Sequence, residues 1–171
     1  DFVTNAAAQT VSGTFTGALA AGEKIQVSTN ETTWIDAAAG GGTWTASVTL
    51  PAGSGTLSVQ TIDAAGNVTA GTGHGFTLDA VAPVAVATVT ALSSDTGASG
   101  DFITSVASQT VSGTFTGALG AGETIQVSVD GATWIDASTG AGTWSAAGVT
   151  LPAGSGTLSV RTIDVAANVT A

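Results

Sequence analysis

The chain has 171 residues, 12 of them acidic and 2 basic, for a formal net charge of -10. Nucleic acid and anionic lipid are poor partners for such a chain, because both are held by Lys and Arg that displace counterions. Cysteine is absent, so no disulfide substitutes for a core, and no apolar run reaches the roughly 18 residues of a membrane-spanning helix.

Charged residues make up only 8% of the chain, against about a quarter in an ordinary soluble domain. Gly, Ala, Thr and Ser take their place. Alternation with period two marks strands throughout. Val11, Gly13 and Phe15 alternate with Ser12, Thr14 and Thr16. Ile25 and Val27 follow, then Trp44, Ala46, Val48 and Leu50, then Leu57 and Val59, then Phe76 and Leu78. Gly-rich turns separate them, and no stretch has helical spacing with a cap. From residue 84 the same reading gives strand A at 84–92, B at 110–116, C at 124–129, D at 133–137, E at 143–151 and F at 157–164. Strand G has its counterpart at 74–78.

The chain repeats itself. Residues 1–44 and 101–144 are identical at 31 of 44 positions, and one extra residue near Gly148 then moves the offset from 100 to 101. A period of this size is one β-sandwich domain rather than a solenoid turn. The expected fold is all-β: two tandem Ig-like β-sandwiches of antiparallel Greek-key strands. The expected domains are 1–79 and 84–171, with a linker at 80–83. Repeat one lacks a counterpart of strand A, and repeat two lacks one of strand G. The chain reads as a piece cut out of phase with the domain boundary. Open edges of this kind pair readily, so strand pairing with an adjacent copy is expected.

Three acidic stretches are candidates for chemistry. Asp63-Ala64-Ala65-Gly66-Asn67 recurs as Asp164-Val165-Ala166-Ala167-Asn168 at the turn between F and G. Asp and Asn here either bond their own backbone in a turn or present oxygens to a hard cation. Ala167 in place of Gly argues against a required positive φ. The A–B turn, Ser94-Asp95-Thr96-Gly97-Ala98-Ser99-Gly100-Asp101, is either a solvated loop or a set of oxygen ligands; it lacks the EF-hand spacing. The third candidate is Asp79 in the join Leu78-Asp79-Ala80-Val81-Ala82-Pro83. If strands run alternately up and down, Asp1, Asp79, Asp164 and Asn168 converge between the two domains. Three carboxylates that close repel unless a cation lies among them. Ca2+ is the expected ion there, with Asp95 and Asp101 forming a half site at one outer pole and Asp63 and Asn67 at the other.

These same stretches resemble the bacterial Ig-like repeats that form the long extender region of giant secreted adhesins of the RTX type. The resemblance rests on Asp-x-x-Ala-Pro at the join (here with one extra residue), Ser-Ser-Asp-Thr-Gly, Asp-Phe-Ile-Thr and Asp-x-Ala-Gly-Asn. It implies a secreted or cell-surface spacer with calcium at its junctions. Its partners would be neighbouring identical repeats in one long chain. The metal role passes by match to Asp79, Asp95, Asp101, Asp63 and Asp164.

Other residues carry less. His74 is the single histidine, with no counterpart in repeat two, and reads as a surface residue. No Ser/His/Asp set recurs and no thiol exists, so an enzyme is not expected. Trp34 and Trp134 could offer a carbohydrate platform, but partly buried packing accounts for them as well. Two alternatives to a spacer stay open: a glycan- or protein-binding Ig-like module, and a surface-layer or sheath subunit built by strand exchange.

Overall fold

The computed structural model describes residues 2–171. The chain divides into two compact units, the first ending at Ala80 and the second starting at Val81. Among the described residues every regular element is a strand. In the first unit these are β1 (Val3–Thr4), β2 (Ala8–Thr14), β3 (Lys24–Ser28), β4 (Ile35–Asp36), β5 (Ala38–Gly40), β6 (Thr43–Thr49), β7 (Gly53–Ile62), β8 (Val68–Ala70) and β9 (His74–Leu78). In the second they are β10 (Val86–Leu92), β11 (Ser108–Thr116), β12 (Thr124–Ser128), β13 (Ile135–Asp136), β14 (Ser138–Gly140), β15 (Thr143–Thr150), β16 (Ser159–Ile163) and β17 (Val169–Thr170).

Each unit is a two-sheet sandwich. In the second, the sheets run β10-β11-β15-β14, the A-B-E-D order of an Ig-like fold, and β13-β12-β16-β17, in which C and F are flanked by β13 and by β17, the counterpart of β8. In the first, they run β2-β6-β5 and β1-β9-β7-β3-β4, with β8 also on β7. All pairings are antiparallel except β1 with β9, which is parallel.

The alternation in the sequence sets the cores. β6 reads exposed-buried throughout, with Trp44, Ala46 and Val48 inward and the threonines and Ser47 outward. Ile25, Val27, Leu57, Phe76 and Leu78 meet them from the other sheet. In the second unit Val111, Ile125 and Val127 are fully buried beside Trp144, Ala146 and Val149. Each such aliphatic side chain contributes about 1.5–3 kcal/mol on burial. Gly13 and Gly113 lie against Trp44 and Trp144: a Cβ at Gly13 would stand 2.6 Å from the Trp44 ring.

Four features differ from the sequence reading. Strand D is not one strand over 133–137. It breaks at Ala137, with β13 on β12 in one sheet and β14 on β15 in the other. The Ala137 N–H donates to the Ile125 carbonyl at the crossing, 2.8 Å, so the chain switches sheets without losing a backbone bond. Strand F is shorter than 157–164. β16 begins at Ser159, whereas the matching β7 begins at Gly53 and runs for ten residues. The cause is the partner. Gly53 to Leu57 pair with β9, and no counterpart of β9 lies among the described residues of the second unit.

The extra residue near Gly148 is a β-bulge. Gln109 pairs with Val149 and Val111 with Ala146, a slip that the unbroken β2–β6 ladder lacks. Gly148 takes φ 75° there, a conformation open to glycine. Finally, Ala167 does adopt positive φ, 69°, close to the 87° of Gly66. The turn therefore imposes the left-handed backbone whichever residue occupies it.

Candidate cation-binding loops

The F–G turns are tight and self-contained. In the first, Asp63 Oδ1 accepts from the Ala65 and Asn67 backbone N–H groups at 2.9 and 2.8 Å, and Oδ2 accepts from Asn67 Nδ2 at 2.8 Å. In the second, Asp164 Oδ1 accepts from Ala166 and Asn168, and Oδ2 from Asn168 Nδ2 at 2.8 Å. The sequence pairs Asp63 with Asn67 and Asp164 with Asn168, and the structure brings both pairs together. The Asn67 side-chain and backbone bonds hold the Asp63 carboxyl below the usual carboxylate range. At Asp164 burial acts in the opposite direction, and the Asn168, Ala166 and Ala167 donors outweigh it to leave a lowered pKa. Both oxygens of each carboxylate are thus already engaged as a turn clip. A cation there would share those oxygens with the amide donors, using the lone pairs the turn leaves over.

The A–B loop of the second unit is built differently. Its organiser is Gln109, 2% exposed, an uncharged residue that a reading for acidic ligands does not single out. Its amide nitrogen donates to the carbonyls of Ser94 and Val106 and to Thr104 Oγ1, and its Oε1 accepts from Ser93 Oγ and the Ser94 N–H. The available signal was a polar residue on the inward phase of the Gln9/Val11/Gly13 and Gln109/Val111/Gly113 alternation. Asp101 Oδ1 accepts from the Ile103 N–H, 2.8 Å. Asp95 Oδ2 accepts from the Gly100 N–H, 2.7 Å. Asp95 Oδ1 is shielded from solvent and has no hydrogen-bond partner.

Asp1 lies outside the described residues. Asp79 belongs to the first unit, where its backbone N–H donates to the Thr4 carbonyl at 2.9 Å; Asp164 and Asn168 belong to the second. Among the described residues no three His, Asp or Glu side chains gather as a metal cage. His74 is exposed and stacks on Phe2, with ring centroids 3.9 Å apart. Trp134 is half-buried, and the Arg161 guanidinium lies over its ring at 3.8 Å. Arg161 is held there by two bonds to Gln126 Oε1. No family model and no curated protein matches the chain.

Proposed function

We propose that the chain is a pair of structural spacer repeats from a bacterial surface adhesin, stiffened by calcium. The observation that carries this reading is the tandem of two Ig-like sandwiches whose sequences agree at 31 of 44 aligned positions. A recognition domain needs loops that differ from those of its scaffold neighbours. Here the B–C turn differs at one position, Ala20 against Gly120, and the changes in the D–E and F–G turns are among small residues, with the Asp–Asn pair of the F–G turn kept. The cation is supported by an excess of ten negative charges and by Asp95 Oδ1, a shielded carboxylate oxygen that lacks a donor. Calcium takes six to eight oxygens, roughly. Asp95, Asp101 and the carbonyls of their loop would supply some for an ion on the second unit, and Asp79 is the carboxylate of the join itself.

The test is X-ray scattering of the chain with calcium, with chelator, and with NaCl at matched ionic strength. Calcium should lengthen the particle and raise its melting temperature above the NaCl control, and Asp79→Ala should reproduce part of the chelated profile. Superimposable curves in all three conditions would remove calcium from the mechanism and leave the spacer reading standing on the repeat alone.

A further inference from the structure

Three Asn-x-Thr triplets occur in the chain: Asn30-Glu31-Thr32, Asn67-Val68-Thr69 and Asn168-Val169-Thr170. Such a triplet accepts an N-linked sugar when a transferase can reach its asparagine. The fold separates the three. Asn67 Nδ2 donates to Asp63 Oδ2 and Asn168 Nδ2 to Asp164 Oδ2, both at 2.8 Å. Thr69 and Thr170 are held in β8 and β17, and the Thr170 hydroxyl donates to the Pro83 carbonyl. The first triplet lies instead in the loop between β3 and β4, with all three of its residues exposed. Asn30 Oδ1 accepts from the Thr32 and Thr33 N–H groups at 3.0 and 2.8 Å, and from the Ser28 hydroxyl. Those donors fix which side-chain atom is the oxygen, and among the described residues the bonds of this loop use neither Asn30 Nδ2 nor the Thr32 hydroxyl. The second unit builds the same loop from Asp130-Gly131-Ala132, with Asp130 Oδ1 accepting from Ala132 and Thr133. Glu31 keeps at φ 58° the left-handed backbone that Gly131 takes at 71°. The loop therefore folds with or without the triplet, and folding alone does not account for Asn30 and Thr32.

We infer that Asn30 is an attachment site for an N-linked sugar, taken from a donor activated at its anomeric carbon by a diphosphate ester. The turn prepares the acceptor. Two backbone N–H groups and a hydroxyl draw electron density onto Oδ1, which makes the Nδ2 protons more acidic. Nδ2 forms its bond to the anomeric carbon as that carbon's bond to the diphosphate oxygen breaks. The diphosphate leaves with the electron pair, and one Nδ2 proton passes to a base of the transferase. Nothing is oxidised or reduced. The exposed Thr32 hydroxyl is the group by which a transferase positions the amide. At Asn67 and Asn168 the same step must first break a bond to a carboxylate. Their threonines also lie in extended strands, which do not close an Asx turn.

The experiment incubates the folded chain with an N-glucosyltransferase and UDP-glucose, and separately with an oligosaccharyltransferase and a lipid-diphosphate glycan. Intact mass and peptide mapping read the products, and peptides carrying each isolated triplet give the intrinsic rates. One sugar should be added to the folded chain, at Asn30, in at least one arm, and the arm identifies the donor. Relative to their own peptides, Asn67 and Asn168 should react at least about tenfold more slowly, the worth of a hydrogen bond to a charged group. Asn30→Asp and Thr32→Ala copy residues that the second unit already carries in this loop, so both variants should fold, and each should abolish addition at position 30. Asp63→Ala removes the group that ties Asn67 Nδ2 and should raise addition at Asn67. No addition to the folded chain in either arm would overturn the inference, whatever the peptides do. Equal addition at all three asparagines, or addition at Asn30 that survives Thr32→Ala, would overturn it as well.

Discussion

Ala167 and Gly66 share one left-handed backbone position with unequal cost. An L-residue there is disfavoured by about 1–2 kcal/mol, part of which glycine gives back through its freer unfolded chain. Ala167→Gly should therefore stabilise the second unit by about 1 kcal/mol, and Gly66→Ala should destabilise the first by a similar amount, read from urea midpoints. Thr162 is fully buried and its hydroxyl has no partner. Thr162→Val keeps the shape and removes the unpaired group, so it should raise stability by about 1 kcal/mol. Asp130 offers a pH test. Backbone N–H groups of Thr133 and Ala132, then the Ser128 hydroxyl, hold its carboxyl down from 3.8 to about 2. A depressed carboxyl contributes its stability above the unfolded value and loses it as pH falls through the folded one. The Ala132 and Thr133 amide shifts should titrate with a midpoint at about 2, and stability should fall as pH drops from 3.8 to about 2. Asp130→Asn should abolish that titration while keeping the loop, because Asn30 accepts from Thr32 and Thr33 in the same way in the first unit. None of these positions announces itself in a sequence read for charge. Gln109 is the sharper case: its five hydrogen-bonding contacts come from a loop that folds back over it, and only its inward phase was legible.

At the scale of the element, the alternation was enough to locate the strands that pack two-sided cores, and it failed where pairing decides. Strands B, C, E and G stand close to where the period-two pattern puts them. Strand D looked continuous because its residues alternate. It divides because each half finds a different neighbour, a choice made in three dimensions. The stretch Leu-Pro-Ala-Gly-Ser-Gly-Thr-Leu occurs at 50–57 and at 151–158, yet only the first copy is strand from its glycine onward. Local propensity is the same in both, so the partner accounts for the difference. Amide exchange should show this directly: the segment 54–57 should be protected well beyond 155–158 under one set of conditions. Equal protection would place the strand's stability in its own sequence instead.

At the scale of the whole chain, the repeat, the Ig-like class and the acidic balance were all readable beforehand. The acid pairs Asp63–Asn67 and Asp164–Asn168 were readable too, as neighbours. Their engagement as turn clips depends on backbone N–H groups that only the folded loop presents. That engagement sharpens the calcium experiment: Asp95, one of whose shielded oxygens accepts no hydrogen bond, should contribute more to calcium binding than the clips do. Asp95→Asn should lower any calcium-dependent rise in melting temperature more than Asp63→Asn does.

The parallel pairing of β1 with β9 has a mechanical meaning. β1 and β9 run side by side in one direction, with Thr77 N–H donating to the Phe2 carbonyl and Asp79 N–H to the Thr4 carbonyl. Force applied ahead of β1 and beyond β9 slides these strands along each other, so their bonds share the load and must break together. An antiparallel terminal pair pulled the same way would unzip one bond at a time. Tension along the chain would therefore meet its first resistance at a patch of two residues, and trimming that patch should turn an abrupt rupture into a gradual yield.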